Sequence, residues 1–360
     1  MINVTKTYLP DKNKFIRYVD KIYSSGWVTN RGPLVKELEE RLSSYLGVKN
    51  VVLVSNGTAA LEVAYRALSL SGDVITTPFS FVATTSSLVS NSLAPKFADI
   101  DVETFNISPM EIDKRITCNT SAIVPVHVFG NACDVGEIDR IAKLNNLKVI
   151  YDAAHAFGVE FGGQSLLNFG DVSTLSFHAT KLFHSIEGGA LIVNDESILE
   201  KVRLMINFGI DGPDSVKEFG INAKMNEFEA AMGLCVLDDI DEIIEKRQHA
   251  TYFYESKLNE LVLFQKHNER ASRNYSYFPI VFDNEQQVLT VKNALAERGI
   301  NTRRYFYPSL DRLPYIDDNV EMKNSRSLSQ RILNLPLYEG LPQSDQLNII
   351  NLVKKNVRKI

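Results

Sequence analysis

The sequence predicts an α/β protein: a large, mainly parallel, helix-covered sheet followed by a smaller α+β domain. Three observations carry that expectation. Short apolar runs recur between residues 50 and 193 with helical patterns between several of them, which is how a parallel sheet buried on both faces reads. The chain has 360 residues, enough for about two cores rather than one. Beyond residue 245 the alternation gives way to one strand pattern set among longer helical ones.

Taken in order, "PLVKELEERLSSYLG" puts Leu34, Leu38, Leu42 and Tyr45 on one helical face, with Gly47 as its stop. The strands are then expected at "NVVLV", "DVITT", "APKFADI", "SAIVPVHV", "LKVIYD", "VSTLSF" and "GALIV", and helices at "GTAALEVAYRALSL" and "DVGEIDRIAKLNN". A long helical pattern from Asn226, "NEFEAAMGLCVLDDIDEIIEKRQHATYFYESKLNEL", carries the chain from the large domain (1–245, with the N-terminal segment) into the small one (246–360). The small domain reads as a strand at "YSYFPIVF", a helix at "EQQVLTVKNALAERG" and a closing helix at "SDQLNIINLVKKNV".

Composition narrows the class. Hydrophobic residues make up 44% and charged residues 23%, ordinary for a globular chain. No apolar run is long enough to span a bilayer, and "MINVTKTYLPDKNKF" lacks the basic-then-apolar layout of a signal peptide. Cys118, Cys133 and Cys235 are far apart and without metal-ligand spacing, which fits a reducing cytoplasm and neither a disulfide framework nor a metal site. A net charge of −5 without a basic block argues against nucleic acid as a partner. A cytoplasmic enzyme is the expectation.

Ligands of such a sheet lie at the carboxyl ends of its strands, and three of those ends carry chemistry. Ser55-Asn56-Gly57-Thr58 would be a strand-to-helix turn whose free N–H groups and Thr58 hydroxyl suit a phosphate; read alone it is an ordinary helix cap. There is no GxGxxG and no GxxxxGK[ST]. "LKVIYD" ends in Asp152, an acid costly to bury without a partner, followed by His155. Lys181 sits in "SFHATKLFHSIEGG" between two strands: a solvated turn lysine, or an amine kept neutral for Schiff-base chemistry. An anion cradle, a buried acid and an amine on one sheet match the needs of pyridoxal 5'-phosphate.

Those residues, with "TTPFSFVATTSSL", "VPVHVFGNACDVGEIDRIA", "VIYDAAHAFG" and "GINAKMNEFEAAMG", resemble in order the motifs of the DegT/DnrJ/StrS aminotransferases. The resemblance runs from "SGWVTNRGPLVKELEERL" to "ILNLPLYEGLP" and implies the fold-type-I, aspartate-aminotransferase-like architecture of pyridoxal-phosphate enzymes. It implies that Lys181 is the Schiff-base lysine and proton shuttle and that Asp152 pairs with the ring nitrogen. His155 would contact the phenolic oxygen and Phe81 stack on the ring. Gly57, Thr58 and Ser176 would ligate the phosphate. Asn222 would reach the cofactor of a neighbouring subunit, so a homodimer with shared sites is expected. Thr29, His178 and Tyr307 are substrate candidates, each with loop packing as the plain alternative. Arg31, Arg303 and Arg304 are possible partners for a diphosphate.

The implied substrates are glutamate and a nucleotide-linked keto-sugar. The lysine turn "HATK-x-F-x-x-x-EGG" is similar to that of members aminating carbon 4 of dTDP-4-keto-6-deoxyglucose, whose product serves O-antigen or another lipopolysaccharide. Amination at carbon 3, another nucleotide sugar, a sugar dehydratase and a non-catalytic cofactor-binding protein of the same fold are the rivals. The dehydratases of this superfamily lack the lysine, which is present here.

Overall fold

The computed structural model describes residues 1–318 and 320–357. Each of the seven apolar runs forms a strand of one sheet: β1 (Val51–Val54), β2 (Asp73–Thr76), β3 (Ala94–Phe97), β4 (Thr120–Val124), β5 (Lys148–Asp152), β6 (Val172–Ser176) and β7 (Gly189–Val193). Their order across the sheet is β1-β7-β6-β5-β4-β2-β3. Pairing is parallel from β6 through β3, while β7 runs antiparallel to both neighbours, with Val54 opposite Gly189 and Ser176 opposite Gly189.

Period-two alternation sends neighbouring side chains to opposite faces, and the strands divide accordingly. Val51, Leu53, Ile123, Leu175, Ala190 and Ile192 join one core; Val52, Val54, Val124, Val172, Leu191 and Val193 join the other. The first core takes Leu34, Leu38 and Leu42 from helix α1 (Pro33–Leu46), as the spacing predicts, and Gly47 ends that helix with a left-handed φ of 63°. Tyr45 stands apart from this stripe, half exposed, with its ring against Phe157. The second core is covered by helix α2 (Gly57–Ala67), whose Ala60, Val63 and Ala64 are fully buried. Each valine or leucine side chain removed from water in these cores contributes about 1.5–3 kcal/mol, and an alanine methyl less, before conformational entropy is set against it.

A third core holds the small domain. Strands β8 (Phe278–Val281) and β9 (Ile332–Leu335) pair antiparallel, with helices α5 (Glu285–Ala296) and α6 (Gln343–Val357) against them. The long helical pattern is in fact two helices, α3 (Glu227–Leu237) and α4 (Ile240–Leu258). The break falls at Asp238 and Asp239, which pair with Lys14 and Arg41. Helix α4 joins the domains: Ile240 and Ile243 lie in the large core, Ala250, Tyr254 and Leu258 in the small one. The first residues belong with the small core, since Ile2 pairs with Ile300 and the Leu337 N–H donates to the Val4 carbonyl at 3.1 Å.

Between the two domains lies an aromatic seam. Phe306 from the small domain stacks on Phe129 at 5.7 Å and meets Phe79 edge-on at 5.4 Å. The carboxyl ends of β1, β5 and β6 open onto one flank of this seam.

Candidate active site

A cavity of about 280 Å³ lies there. Its floor includes Gly57, Thr58, Asp152 and Ser176 from the sheet side, and Tyr277, Tyr305 and Phe306 from the small domain.

At the β1 end, Asn56 caps α2 by accepting the Ala59 N–H at 2.8 Å, and its carbonyl accepts the Ala60 N–H. The N–H groups of Gly57 and Thr58 have no acceptor among the described residues, so two unpaired donors at a helix terminus belong to residues that line the cavity together with Ser176. A Cβ on Gly57 would lie 2.9 Å from that of Ser176, and one on Gly189 2.7 Å from the Asn56 carbonyl oxygen. Both glycines are therefore required for the turn to sit this close to β6 and β7. This accounts for the second glycine of the pair after Lys181.

Asp152 ends β5 and is buried. One carboxylate oxygen accepts the Thr84 hydroxyl at 2.7 Å and the other accepts the Ala154 N–H at 3.1 Å. Burial pushes its pKa up, against the pull of those two donors and of Lys181. Close by, His155 is buried with its Nδ1 accepting the Phe129 N–H at 3.3 Å. Burial and the Lys181 charge hold the imidazole well below its ordinary pKa. The neutral ring then carries its proton on Nε2.

Lys181 is held in a loop closed on itself, with the Phe177 N–H donating to the Gly188 carbonyl at 2.8 Å and the Ser185 N–H to the Phe177 carbonyl at 3.0 Å. Phe177, Leu182 and Phe183 anchor the loop in the large core, while Lys181 lines the cavity. Its ammonium donates to the Tyr277 hydroxyl at 3.4 Å. Desolvation lowers the Lys181 pKa to about 8, and burial raises that of Tyr277 to about 12.

Eight of the eleven expected residues line this one cavity: Lys181, Gly57, Thr58, Phe81, Asp152, His155, Ser176 and His178. Phe81 is half exposed over it, and His178 is tied to Thr180 at 2.7 Å. Asn222 is exposed, paired with Asn207 away from the cavity, and Thr29 is exposed on the loop before α1. Tyr307 lines a separate hollow and covers the Arg304 guanidinium at 3.7 Å. His184 is buried, with a ring nitrogen 2.8 Å from the Tyr8 carbonyl.

The three arginines also separate. Arg31 pairs with Glu39 at 2.9 Å, and Arg304 pairs with Glu285 at 2.6 Å while donating to the Ser329 and Gln330 carbonyls. Arg303 lines the cavity mouth with its guanidinium 4.8 Å from the Tyr305 ring centroid, and pairs with no carboxylate among the described residues. Thr84, Tyr277 and Tyr305 are site residues that sequence reasoning missed. Thr84 lies in the helix that follows β2, Tyr277 and Tyr305 come from the small domain, and "FVATTSSL" and "YSYFPIVF" carry no local mark of what they face.

A seven-stranded sheet of this order and hand, with lysine, acid and anion-facing turn at its carboxyl ends and a small domain closing over them, defines a fold-type-I α/β transferase. Residues 10–354 match the DegT/DnrJ/EryC1/StrS aminotransferase family, and the chain belongs to that family. It is 41% identical to a dTDP-4-amino-4,6-dideoxy-D-glucose transaminase of Shigella dysenteriae, over 100% of this chain and 99% of the relative. It is 39% identical to the transaminase of the same name from Escherichia coli, over 98% of each. Among solved structures it superposes on DesI, crystallised in the presence of its TDP-sugar product, with a TM-score of 0.95 and 32% identity, covering 99% of this chain and 93% of that one. No helix among the described residues is long and apolar enough to cross a membrane.

Proposed function

We propose that the chain is a pyridoxal-phosphate-dependent aminotransferase that moves the amino group of glutamate to carbon 4 of dTDP-4-keto-6-deoxyglucose. The observation that carries the reading is the meeting, in one cavity, of a half-buried lysine with a lowered pKa, a buried carboxylate and two helix-terminal N–H groups without acceptors among the described residues. Bound there, the cofactor supplies an electrophilic carbon and an electron-withdrawing ring. Gly57, Thr58 and Ser176 would hold its phosphate, and Asp152 would keep a proton on the ring nitrogen. His155 would offer its Nε2–H to the phenolic oxygen, and Phe81 would cover the ring. Lys181 would supply the amine that holds the cofactor's aldehyde and the base that moves a proton at the substrate's α-carbon. The apolar and aromatic walls lower the Lys181 pKa, so that about a tenth of the amine is uncharged at neutral pH, and they limit water's access.

Asn222, exposed on the single chain, is assigned to the phosphate of a second copy's cofactor, which makes the enzyme a homodimer; Thr29 and His178 remain assigned to the substrate. The reaction is placed in the cytoplasm, where free thiols are kept reduced.

The test is a half-reaction. Protein loaded with cofactor is converted with glutamate, and the keto-sugar is then added. Return of the resting visible absorbance with an amino sugar of the expected mass is the predicted result. Conversion by glutamate without return on this sugar would reject the sugar assignment, and a protein that binds no cofactor would reject the whole reading.

For the diphosphate, Arg303 is the assigned partner, because it is the arginine of the three that lines the cavity and pairs with no carboxylate among the described residues. Replacing it by glutamine should raise KM for the nucleotide sugar about tenfold, the scale of one charge-assisted hydrogen bond, with little change in kcat. Steady-state kinetics that show an unchanged KM would remove Arg303 from the site.

A further inference from the structure

Behind Asp152 runs a chain of hydroxyl groups that takes no direct part in the chemistry above. Thr84 and Ser80 are both buried. The Thr84 Oγ1 lies 2.7 Å from the Asp152 Oδ2, and the Ser80 Oγ lies 2.8 Å from the same Thr84 oxygen. Thr84 sits in the first turn of the helix Val82–Ser90, directly after Phe81, and Ser80 precedes that turn. One helix start therefore delivers both the ring-facing Phe81 and the hydroxyl that bonds the acid.

The protons of this chain have one consistent direction. An ionised carboxylate only accepts, so the single hydrogen of Thr84 goes to Asp152. The Thr84 oxygen is then the acceptor, and the hydrogen between Ser80 and Thr84 comes from Ser80. A hydrogen bond to the charged form of a group favours that form, and a donor that is itself an acceptor of a bond is polarised and strengthened. Both effects stabilise Asp152 as a carboxylate in a place where burial opposes the charge.

We propose that Thr84 and Ser80 are positioning residues that hold Asp152 ionised, so that the proton shared with the cofactor's ring nitrogen stays on the nitrogen. The assignment rests on the functional reading above and extends it to Thr84, which does not line the cavity, and to Ser80, which lines its edge and acts here through Thr84. In a buried pair the proton resides with whichever partner is the better base in that setting. Without the Thr84 donor the carboxylate becomes the better base, the proton moves to it, and the ring draws electrons less strongly.

The test uses the full-length protein loaded with pyridoxal phosphate labelled with nitrogen-15 in the ring. The wild-type nitrogen resonance is expected at the position of a protonated pyridine. In Thr84→Val it should move toward that of a neutral pyridine, and the exchange of glutamate's α-proton with solvent deuterium should slow about 10- to 100-fold, the scale of a hydrogen bond to a charged group. Thr84→Ser, which keeps the donor, should restore both readings, and Ser80→Ala should move both in the same direction by less. A Thr84→Val resonance coincident with wild type overturns the proposal, as does a Thr84→Ser protein as defective as the valine variant. Wild-type protein that takes up no labelled cofactor is a failure of the functional reading itself and removes this assignment with it, whereas the first two results leave that reading intact.

Discussion

Replacing Lys181 by alanine is expected to lower turnover by more than about 10⁴-fold, the upper range for removing a positioned acid–base group, because the same side chain also serves as nucleophile. The fold should survive the change. The loop around Lys181 is held by Phe177, Leu182 and Phe183 in the large core and by the Phe177–Gly188 hydrogen bond, none of which involves the amine. Removing a buried ammonium also removes its desolvation penalty, so thermal unfolding of the variant should match or exceed that of the wild-type apoprotein. A second readout comes from pH. With a pKa lowered to about 8, roughly a tenth of the amine is uncharged at neutral pH, against less than about one part in a thousand for an ordinary lysine. Only the uncharged amine attacks the cofactor's aldehyde. Uptake of pyridoxal phosphate by the wild-type apoprotein should therefore speed up as pH rises and level off just above 8, as followed by stopped-flow absorbance. A rise continuing past pH 10 would mean that Lys181 is solvated and the cavity does not act on it.

The sheet was legible because parallel strands covered on both faces must be apolar at nearly every position, and seven short apolar runs became its seven strands. Order across the sheet was not legible. No residue of "GALIV" says that β7 lies between β1 and β6 and runs against both; that follows from the tight return after Lys181 and the close approach of Gly189 to Asn56. The continuous helical pattern after Asn226 likewise concealed the break at Asp238-Asp239. Nothing in the local pattern forbids a helix there, and the partners that hold the two carboxylates, Lys14 and Arg41, lie some two hundred positions earlier.

The site divides in the same way. Gly57, Asp152 and Lys181 were readable together, because a glycine turn, an acid and an amine at or just past strand ends of one sheet fit a phosphate-bearing cofactor although each alone has an ordinary reading, and the family resemblance added Ser176. The wall supplied by the small domain was not readable. Tyr277, Tyr305 and Phe306 reach the cavity only through the packing of one domain on the other, and loop direction sent Tyr307 to a different hollow while its neighbour Phe306 turned inward. Arg303 and Arg304, adjacent in sequence, were indistinguishable until one was seen paired with Glu285 and the other at the cavity mouth.

Asp152→Asn is expected to have the next largest effect, a loss in kcat on the order of 10² to 10⁴, since breaking a buried charge pair by removing one partner is worth about 3–5 kcal/mol. The asparagine fits the same space. Its backbone is fixed by its own N–H on the Pro125 carbonyl and by the His127 N–H on its carbonyl, and the amide oxygen can still accept from Thr84. What changes is the other half of the side chain, which loses the bond from the Ala154 N–H and becomes a donor where the ring nitrogen needs an acceptor and a negative charge. Such a donor favours the bare nitrogen and so reverses the role assigned to Asp152. Cofactor should still bind, because the phosphate turn and Lys181 are untouched. The stability of the apoprotein should move the other way. Burial raises the Asp152 pKa, so below about pH 4 both the folded and unfolded chains hold the proton and the group costs nothing. As pH rises past that value the unfolded chain ionises first, and the acid destabilises the apoprotein at neutral pH. The asparagine variant should therefore melt higher than wild type without cofactor at pH 7 and no higher near pH 3, while gaining less when cofactor is added. Calorimetry at the two pH values and steady-state kinetics check both arms, and an asparagine variant with kcat within a few-fold of wild type would mean that Asp152 does not face the ring nitrogen at all.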